Sequence, residues 1–112
     1  MQVLVLVALV VGALLLVARR ERARSASFHD LVERQGALLV DVRSRGEFAR
    51  GHLAGARNIP LDELSSRLGE LPAKEAPIVV YCRSGARSAS ARRVLAADGF
   101  ASVHDLGAMS RW

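Results

Sequence analysis

Cysteine is almost absent from this sequence of 112 residues, which contains a single one, Cys82. One cysteine excludes a disulfide within the chain and is typical of proteins that work in a reducing compartment. The three histidines, His29, His52 and His104, stand alone and far apart, so the spacing of a metal site is missing and no metal or cofactor is expected. The lone thiol is therefore either a buried packing residue or a reactive group.

Acidic residues are also fewer than basic ones. The sequence has eleven Asp and Glu and sixteen Lys and Arg, so the formal net charge is +5. Much of this excess is local: Arg19, Arg20, Arg22 and Arg24 accompany only Glu21 just after a long apolar run. Such a cluster is typical of the flank of a membrane span, so nucleic acid is not expected as a partner. Fifteen of the sixteen basic residues are arginine, so the presence of any one arginine is weak evidence for a functional role.

The apolar run extends over residues 3–18 without a charge. With the first two residues it makes a helix of about 27 Å, close to the thickness of a bilayer core. A membrane anchor, a signal peptide and a buried core helix are the three interpretations. The anchor is favoured, because no positive side chain precedes the run and no small-residue cleavage site follows it. A small domain can also hardly enclose a helix that is apolar on every face.

Positively charged flanks stay in the cytoplasm, so the sequence predicts a single-pass protein of a bacterial-type inner membrane with its domain in the cytoplasm. Residues 1–18 are the predicted transmembrane anchor, residues 19–26 a basic juxtamembrane linker, and residues 27–112 the folded domain.

Short apolar runs alternate with helical patterns along the predicted domain. Ser27 predicts the N-cap of a helix that stops at Gly36, and Ser44 with Glu47 has the spacing of a capping box. The other predicted elements are strands over 37–42, 56–61, 77–82 and 101–107 and helices over 62–71 and 86–98. This alternation predicts an α/β fold, with a mostly parallel central sheet flanked by helices and preceded by one transmembrane helix.

The cysteine lies in the stretch "YCRSGARSASARR", where a predicted strand turns tightly into a helix. In open α/β sheets ligands bind at the carboxyl ends of strands, and the amides of such a turn bind anions and lower the pKa of a thiol held there. Arg83 and Arg87 add positive charge. Arg83 is expected near solvent at the mouth, and Arg87 either contacts the substrate or braces the loop against Asp41.

Three segments together resemble the rhodanese, or sulfurtransferase, domain: "DVRSRGEFARGHLAGARNIP" at 41–60, "VVYCRSGARS" at 79–88 and "GFASVHDLGAMSRW" at 99–112. They contain Asp-x-Arg, Gly-His-x-x-Gly-Ala-x-Asn-Ile-Pro and Cys-x-x-Gly-x-Arg-Ser in the order and spacing of that family. The resemblance extends over nearly all of residues 27–112. A short apolar segment ahead of one such domain is similar to the small membrane-anchored members of the family.

The resemblance implies sulfur transfer. The Cys82 thiolate would attack the outer sulfur of thiosulfate or a similar small anionic donor, and the resulting persulfide would pass its sulfur to an external thiol, a protein acceptor or cyanide. The loop residues that would bind the substrate are Arg83, Ser84, Gly85, Ala86 and Arg87. No second cysteine is present to resolve the persulfide, so the acceptor would come from outside the chain.

The resemblance also implies five supporting residues: Asp41, Arg43, Glu47, His52 and Ser88. Asp41 is expected to hold donors of the loop or Arg87, and Arg43 is expected to form an ion pair with Glu47. His52 is either structural or lines the site.

The sequence departs from the family pattern near its C-terminus. Gly107-Ala108 stands where relatives usually have two glycines, and the alanine restricts φ in that turn. Trp112, which is expected to pack against the domain edge, is the last residue at a point where relatives commonly continue. An end at this position is expected to affect local stability more than chemistry.

Two other functions remain as alternatives. A phosphatase with a related cysteine loop is disfavoured, because its loop places one residue more between cysteine and arginine than the four between Cys82 and Arg87. A membrane-anchored persulfide relay or binding module with little turnover has the same residues and stays open.

Overall fold

The computed structural model describes the backbone of residues 1–112 and the side chains of all of them except residues 21 and 23–26. The chain forms a four-stranded sheet, helices on both faces of it, and a long N-terminal helix. The strands are β1 (Leu38–Asp41), β2 (Arg57–Asn58), β3 (Ile78–Cys82) and β4 (Val103–Ala108), and the α-helices are α1 (Gln2–Glu33), α2 (Arg45–Ala49) and α3 (Ala86–Ala97). Short 3-10 helices cover Leu61–Ser66, Leu68–Glu70 and Met109–Arg111.

Each pair of neighbouring strands in the sheet is parallel, and the strand order is β2-β1-β3-β4. The central strand β3 pairs with β1 from Ile78 to Tyr81 and with β4 from Ile78 to Cys82, with a register shift between Val80 and Tyr81 on the β4 side. Because parallel strands end at the same edge of a sheet, β1, β3 and β4 all finish near Cys82. The predicted α/β fold with a parallel central sheet is confirmed.

Both faces of the sheet are buried, which explains the continuous apolar runs of β1 and β3. Along β3, Ile78, Val80 and Cys82 belong to one apolar cluster, whereas Val79 and Tyr81 belong to the other, as the two-residue period of a strand requires. The first cluster also contains residues from α3 and from the segments after β2 and α3, namely Ile59, Leu64, Ala91, Leu95 and Phe100.

Helix α1 is uninterrupted, and this differs from the prediction at two points. Ser27 lies inside the helix and is not an N-cap, and the predicted linker 19–26 has a helical backbone. No glycine or proline occurs between Gly12 and Gly36, so nothing in this segment breaks a helix. Glu21 and Arg24 of the predicted basic flank lie outside the described side chains. The division into anchor, linker and domain stays a prediction.

The two parts of α1 have different surroundings. Residues 2–20 form a segment long and apolar enough to cross a membrane, with a mean hydropathy of 2.5, and none of it is buried against the rest of the described chain. The last turns pack through Phe28, Leu31 and Val32 onto the second apolar cluster of the sheet. One helix therefore joins the candidate span directly to the core of the domain.

The predicted helix over residues 62–71 is wrong, because this segment forms two short 3-10 helices. Among its described side chains only Leu64 is fully buried. A helix confined between Pro60 and Pro72 is too short to be stable without a packed apolar face, and Gly69 weakens it further. The chain therefore makes local 3-10 turns there.

The other elements agree with the sequence. The strands predicted over 37–42 and 77–82 are β1 and β3, and the helix predicted over 86–98 is α3. Helix α2 has its predicted capping box: the Glu47 amide donates to Ser44 Oγ at 3.2 Å, and the Ser44 amide donates to Glu47 Oε1 at 3.1 Å.

Candidate active site

Cys82 is the last residue of the central strand β3, and the segment that follows it, residues 83–87, is called the cysteine loop below. The neighbour of Cys82 on strand β4 is Ala108. Cys82 has no solvent-exposed surface and belongs to the first apolar cluster. The thiol therefore lies at the predicted strand end but beneath the surface of the domain.

Polar groups of the cysteine loop and of the first turn of α3 contact the sulfur. The Gly85 amide donates to Cys82 Sγ at 3.0 Å and the Ser88 amide at 3.4 Å, and Ser88 Oγ lies 3.5 Å from the sulfur. Gly85, the N-cap of α3, has a φ of +108°, which residues with a side chain adopt only with strain. This glycine lets the turn point its amides at the sulfur.

Two opposing effects act on the pKa of the Cys82 thiol. Burial raises the pKa, because the charged thiolate loses its water. The contact with the Ser88 hydroxyl and the hydrogen bonds from the amides of Ser88, Gly85 and Ser84 outweigh burial, so the pKa of Cys82 is lowered from its ordinary value. The site thus favours the charged and nucleophilic form of the sulfur.

The two arginines of the cysteine loop have different partners. Arg87 donates through Nη1 and Nη2 to the two oxygens of the Glu47 carboxylate, at 2.6 and 2.9 Å. This corrects the predicted partner, Asp41, and makes Arg87 a brace between α3 and α2. Arg83 is exposed, as predicted, and lines an open cleft.

Asp41 is fully buried at the end of β1, and its partner is Arg43. Arg43 Nη2 and Nε donate to Asp41 Oδ2 at 2.7 and 3.1 Å, and the Arg43 amide donates to Oδ1 at 2.9 Å. The predicted pair of Arg43 with Glu47 is wrong. Arg43 turns back onto Asp41 two residues before it, whereas the capping box of α2 holds the Glu47 carboxylate where Arg87 reaches it.

Two residues without a predicted role hold the strand ends together. Asn58 Nδ2 donates to the main-chain oxygens of Asp41 and Arg43, both at 3.0 Å. The Tyr81 hydroxyl accepts from the Leu53 amide at 3.1 Å. Asn58 belongs to the Gly-His-x-x-Gly-Ala-x-Asn-Ile-Pro motif, which is the signal that marks it, whereas a tyrosine inside an apolar strand gives no such signal.

The open cleft beside the cysteine loop has a volume of about 590 Å³. Arg43, Glu47 and Arg83, which the sequence predicts at the site, line it together with Arg50, Leu53 and Met109. The last three follow α2 and β4, and no motif marks them. They meet Arg83 because β1, β3 and β4 end at the same edge of the sheet.

His52 does not line this cleft. Its ring stacks on Phe48 with 3.7 Å between the ring centroids, and its Nδ1 donates to the Phe48 carbonyl at 3.0 Å. Of its two predicted roles, these contacts support the structural one, at the end of α2.

The C-terminal segment packs against the second apolar cluster. The Trp112 ring lies on His29, with 3.8 Å between the centroids, and His29 Nε2 donates to the Trp112 main-chain oxygen at 3.0 Å. Trp112 therefore packs at the domain edge, as predicted. Gly107 has a φ of +83°, whereas Ala108 has a φ of −71° and is extended, so the alanine in place of a second glycine causes no strain.

Comparison with known proteins agrees with the motifs. The chain is 39% identical over 77 residues to YqhL of Bacillus subtilis, which covers 68% of this chain and 60% of that protein. It is 34% identical over 71 residues to the thiosulfate sulfurtransferase PspE of Escherichia coli, covering 62% of this chain and 68% of that one. The human single-domain sulfurtransferase TSTD1 has a similar structure, with a TM-score of 0.69 and 31% identity, covering 78% of this chain and 89% of that chain. Residues 25–112 match the model of the rhodanese-like domain, and the chain belongs to this family.

Proposed function

We propose that this protein transfers a sulfane sulfur through a persulfide on Cys82. The observation that carries the proposal is the pair of amides, of Gly85 and Ser88, that donate to Cys82 Sγ at 3.0 and 3.4 Å. Relatives that are sulfurtransferases support sulfur transfer as the general function. Thiosulfate or a similar small anion is the proposed donor, because amides that stabilise a thiolate also stabilise negative charge on the incoming group.

The proposed reaction has two steps. In the first, the Cys82 thiolate attacks the outer sulfur of thiosulfate; a bond to Sγ forms, the S–S bond of the donor breaks, and sulfite leaves with the electron pair. Amides of the cysteine loop stabilise the charge on the persulfide. In the second step, an acceptor thiolate or cyanide attacks the outer sulfur, and the electron pair of the S–S bond returns to Cys82.

The residues of the cysteine loop and Ser88 have separate roles in this proposal. Gly85 and Ser88 hold the sulfur, and the Ser84 amide adds to the stabilisation of the thiolate. Arg83 is exposed at the cleft and attracts an anionic donor. Arg87 is engaged by Glu47 and acts by holding the cysteine loop in shape, not by contact with the substrate.

A persulfide relay is the second candidate, and the burial of the thiol favours it. Cys82 has no exposed surface, so a donor reaches the sulfur only when the cysteine loop moves aside. In a relay, contact with a partner protein opens the loop, and free thiosulfate turns over slowly. Both functions use the Cys82 persulfide, and they differ in how fast the protein turns over free thiosulfate.

We further propose that the apolar part of α1 anchors the protein in a membrane as a single-pass span, with the domain in the cytoplasm. The support is the length, hydropathy and exposure of residues 2–20, together with Arg19, Arg20 and Arg22 at the end of the apolar run. In this arrangement donor and acceptor are both cytoplasmic.

The test uses the full chain in detergent beside a Cys82→Ser variant. After exposure to thiosulfate and removal of the excess, the mass of the unmodified chain is expected to increase by one sulfur atom, and the mass of Cys82→Ser is expected to stay the same. Turnover is measured as thiocyanate formed from thiosulfate and cyanide.

Each outcome separates the candidates. Rapid thiocyanate formation that depends on Cys82 supports the enzyme, whereas a persulfide with negligible turnover supports the relay. Turnover that persists in Cys82→Ser removes Cys82 from the mechanism. A chain that gains no sulfur from thiosulfate contradicts the proposed donor.

A further inference from the structure

The arginines of the cleft and the cysteine loop fall into two classes. Arg43 and Arg87 are neutralised by Asp41 and Glu47. Arg50 and Arg83 are exposed, and neither guanidinium makes a hydrogen bond or an ion pair within the part of the chain whose side chains are described. The cleft therefore carries two positive charges that no group of the domain compensates.

The same cleft also has apolar walls. Leu53 and Met109 line it and pack against the second apolar cluster, and the Tyr81 hydroxyl holds the Leu53 amide in place. A volume of about 590 Å³ lies in the range of sites for organic ligands, about 300–1,000 Å³. A small inorganic anion such as thiosulfate fills little of this space. The walls and the volume thus fit a larger, partly apolar anion.

The cleft is continuous with the cysteine loop. Arg83 directly follows Cys82, and Met109 directly follows Ala108, the neighbour of Cys82 in the sheet. Glu47 also lines the cleft, but Arg87 holds both of its oxygens, so its charge does not oppose an anion. A molecule bound in the cleft therefore lies beside the loop that covers the buried sulfur, and it reaches the persulfide when that loop moves aside.

We propose that this cleft selects the sulfur acceptor, and that the acceptor is an organic thiol with two carboxylates and a short apolar stem. This inference rests on the proposed function. Arg50 and Arg83 bind the carboxylates, and Leu53 and Met109 contact the stem. The acceptor thiolate attacks the outer sulfur of the Cys82 persulfide, an S–S bond forms to the acceptor, and the bond to Sγ breaks with its electron pair left on Cys82. The products are an acceptor persulfide and the Cys82 thiolate.

The first experiment compares acceptors on the persulfide-loaded full chain in detergent. Mercaptosuccinate, with two carboxylates, is compared with neutral 2-mercaptoethanol, and each rate is divided by the thiolate concentration at the working pH. We expect the mercaptosuccinate thiolate to react about tenfold faster, because each exposed charge pair contributes a few-fold. Arg50→Gln and Arg83→Gln are each expected to lower this ratio about threefold.

The control variant is Arg93→Gln. Arg93 is exposed on α3, donates to Ser90 Oγ and does not line the cleft, so its replacement removes the same charge elsewhere. Its rate ratio is expected to match that of the unmodified chain. A ratio near one in the unmodified chain, or a ratio that Arg50→Gln and Arg83→Gln leave unchanged, would overturn the inference.

The second experiment does not depend on the persulfide. The thioether 2-(methylthio)succinate cannot accept sulfur, and its binding to the unloaded full chain is measured by calorimetry. Saturable binding that Arg50→Gln weakens about threefold supports the cleft as an anion site, and the absence of binding overturns it. A chain that binds the thioether but gains no sulfur from thiosulfate contradicts the proposed donor while the anion site stands.

Discussion

Ser88 is the residue whose contacts most directly set the chemistry of the sulfur. Its amide and its hydroxyl both lie against Cys82 Sγ, and the hydroxyl also donates to the Gly85 carbonyl at 3.1 Å. The residue is fully buried, so water does not replace these contacts if they are removed. Ser88 therefore supports both the shape of the cysteine loop and the charge of the thiolate.

Replacement of Ser88 by alanine is expected to raise the pKa of Cys82, because the thiolate loses the hydroxyl contact while its burial remains. The rate of alkylation by iodoacetamide, measured across the neutral and alkaline range, reports this pKa as a midpoint. In Ser88→Ala the midpoint is expected to move to higher pH, and the rate at neutral pH to fall. Ser90→Ala is the control, because Ser90 Oγ donates to the Ala86 carbonyl and not to the sulfur. An unshifted midpoint in Ser88→Ala would contradict the assignment.

Replacement of Asp41 by alanine is expected to lower the free energy of unfolding by about 3–5 kcal/mol, because it leaves the Arg43 guanidinium buried without its counter-charge. Urea unfolding of the full chain in detergent, followed by the fluorescence of the single tryptophan, Trp112, measures this loss.

A double variant tests the physical reason. Asp41→Leu with Arg43→Met removes both charges and fills the space with apolar side chains, so it is expected to regain most of the lost stability. If the double variant were as unstable as Asp41→Ala, the loss of packing at this position, and not the unpaired Arg43 charge, would explain the lower free energy of unfolding.

At the scale of elements, helix α2 connects the end of β1 to the cysteine loop. It has five residues, and its capping box fixes the Glu47 carboxylate through the amide and the hydroxyl of Ser44. The same carboxylate binds Arg87 in the first turn of α3. A short helix with no fully buried side chain among its described residues therefore braces the loop that contacts the sulfur.

Glu47 is expected to stabilise the fold in a pH-dependent way. The Arg87 guanidinium, with the Ser44 amide, holds the pKa of the Glu47 carboxyl well below its usual range. Because this pKa is lower in the folded chain than in the unfolded chain, the contribution is complete above about pH 5 and is lost as the pH falls below about 4. Glu47→Gln is therefore expected to be less stable than the unmodified chain at neutral pH, with a difference that shrinks on acidification. Urea unfolding at a series of pH values measures this difference.

The matched control for this prediction is Glu75→Gln. Glu75 is exposed in the segment before β3 and makes no ion pair among the described side chains. Its replacement is expected to change stability little at any pH. A Glu47→Gln deficit of equal size at neutral and acidic pH would show that the ion pair is not its cause.

Elements with a strong local signal are predictable from the sequence, and elements that depend on packing are not. The apolar runs of β1 and β3 and the capping box of α2 are local patterns, and the structure has them. The segment between Pro60 and Pro72 has helix-forming residues but no packed face, so its 3-10 turns follow from a contact surface that the pattern does not show.

At the scale of the whole molecule, α1 belongs to two environments. Its first part is exposed and apolar, and its last turns pack on the sheet, where Trp112 lies against His29. The helical backbone is continuous between these parts. If the apolar part spans a membrane as proposed, the domain is held at a fixed orientation to the membrane surface and not on a flexible tether.

Two deletions separate the roles of α1. Deletion of residues 1–20 is expected to move the protein from the membrane fraction to the soluble fraction and to leave the domain folded, because the deleted segment has no packing contact with it. Deletion of residues 1–33 also removes Phe28, Leu31 and Val32 and is expected to cost about 3 kcal/mol of further stability. Membrane fractionation and urea unfolding measure the two effects. If the protein that lacks residues 1–20 stays in the membrane fraction, the proposed anchor is contradicted.

The sequence by itself determined the α/β class, the place of Cys82 at the end of a strand, and the tight turn through Gly85 that leads into the next helix. These features depend on local periodicity and on the spacing of a few residues, which the chain carries in its order. Only the tertiary structure decided that Arg87 pairs with Glu47 and Arg43 with Asp41, and that Arg50, Leu53 and Met109 share a cleft with Arg83. The Arg87–Glu47 pair and the cleft join segments far apart in the chain, and the order β2-β1-β3-β4 brings them together at one edge of the sheet. Arg43 and Asp41 are two residues apart, but the pairing of Arg43 with Asp41 and not with Glu47 depends on where helix α2 holds the Glu47 carboxylate.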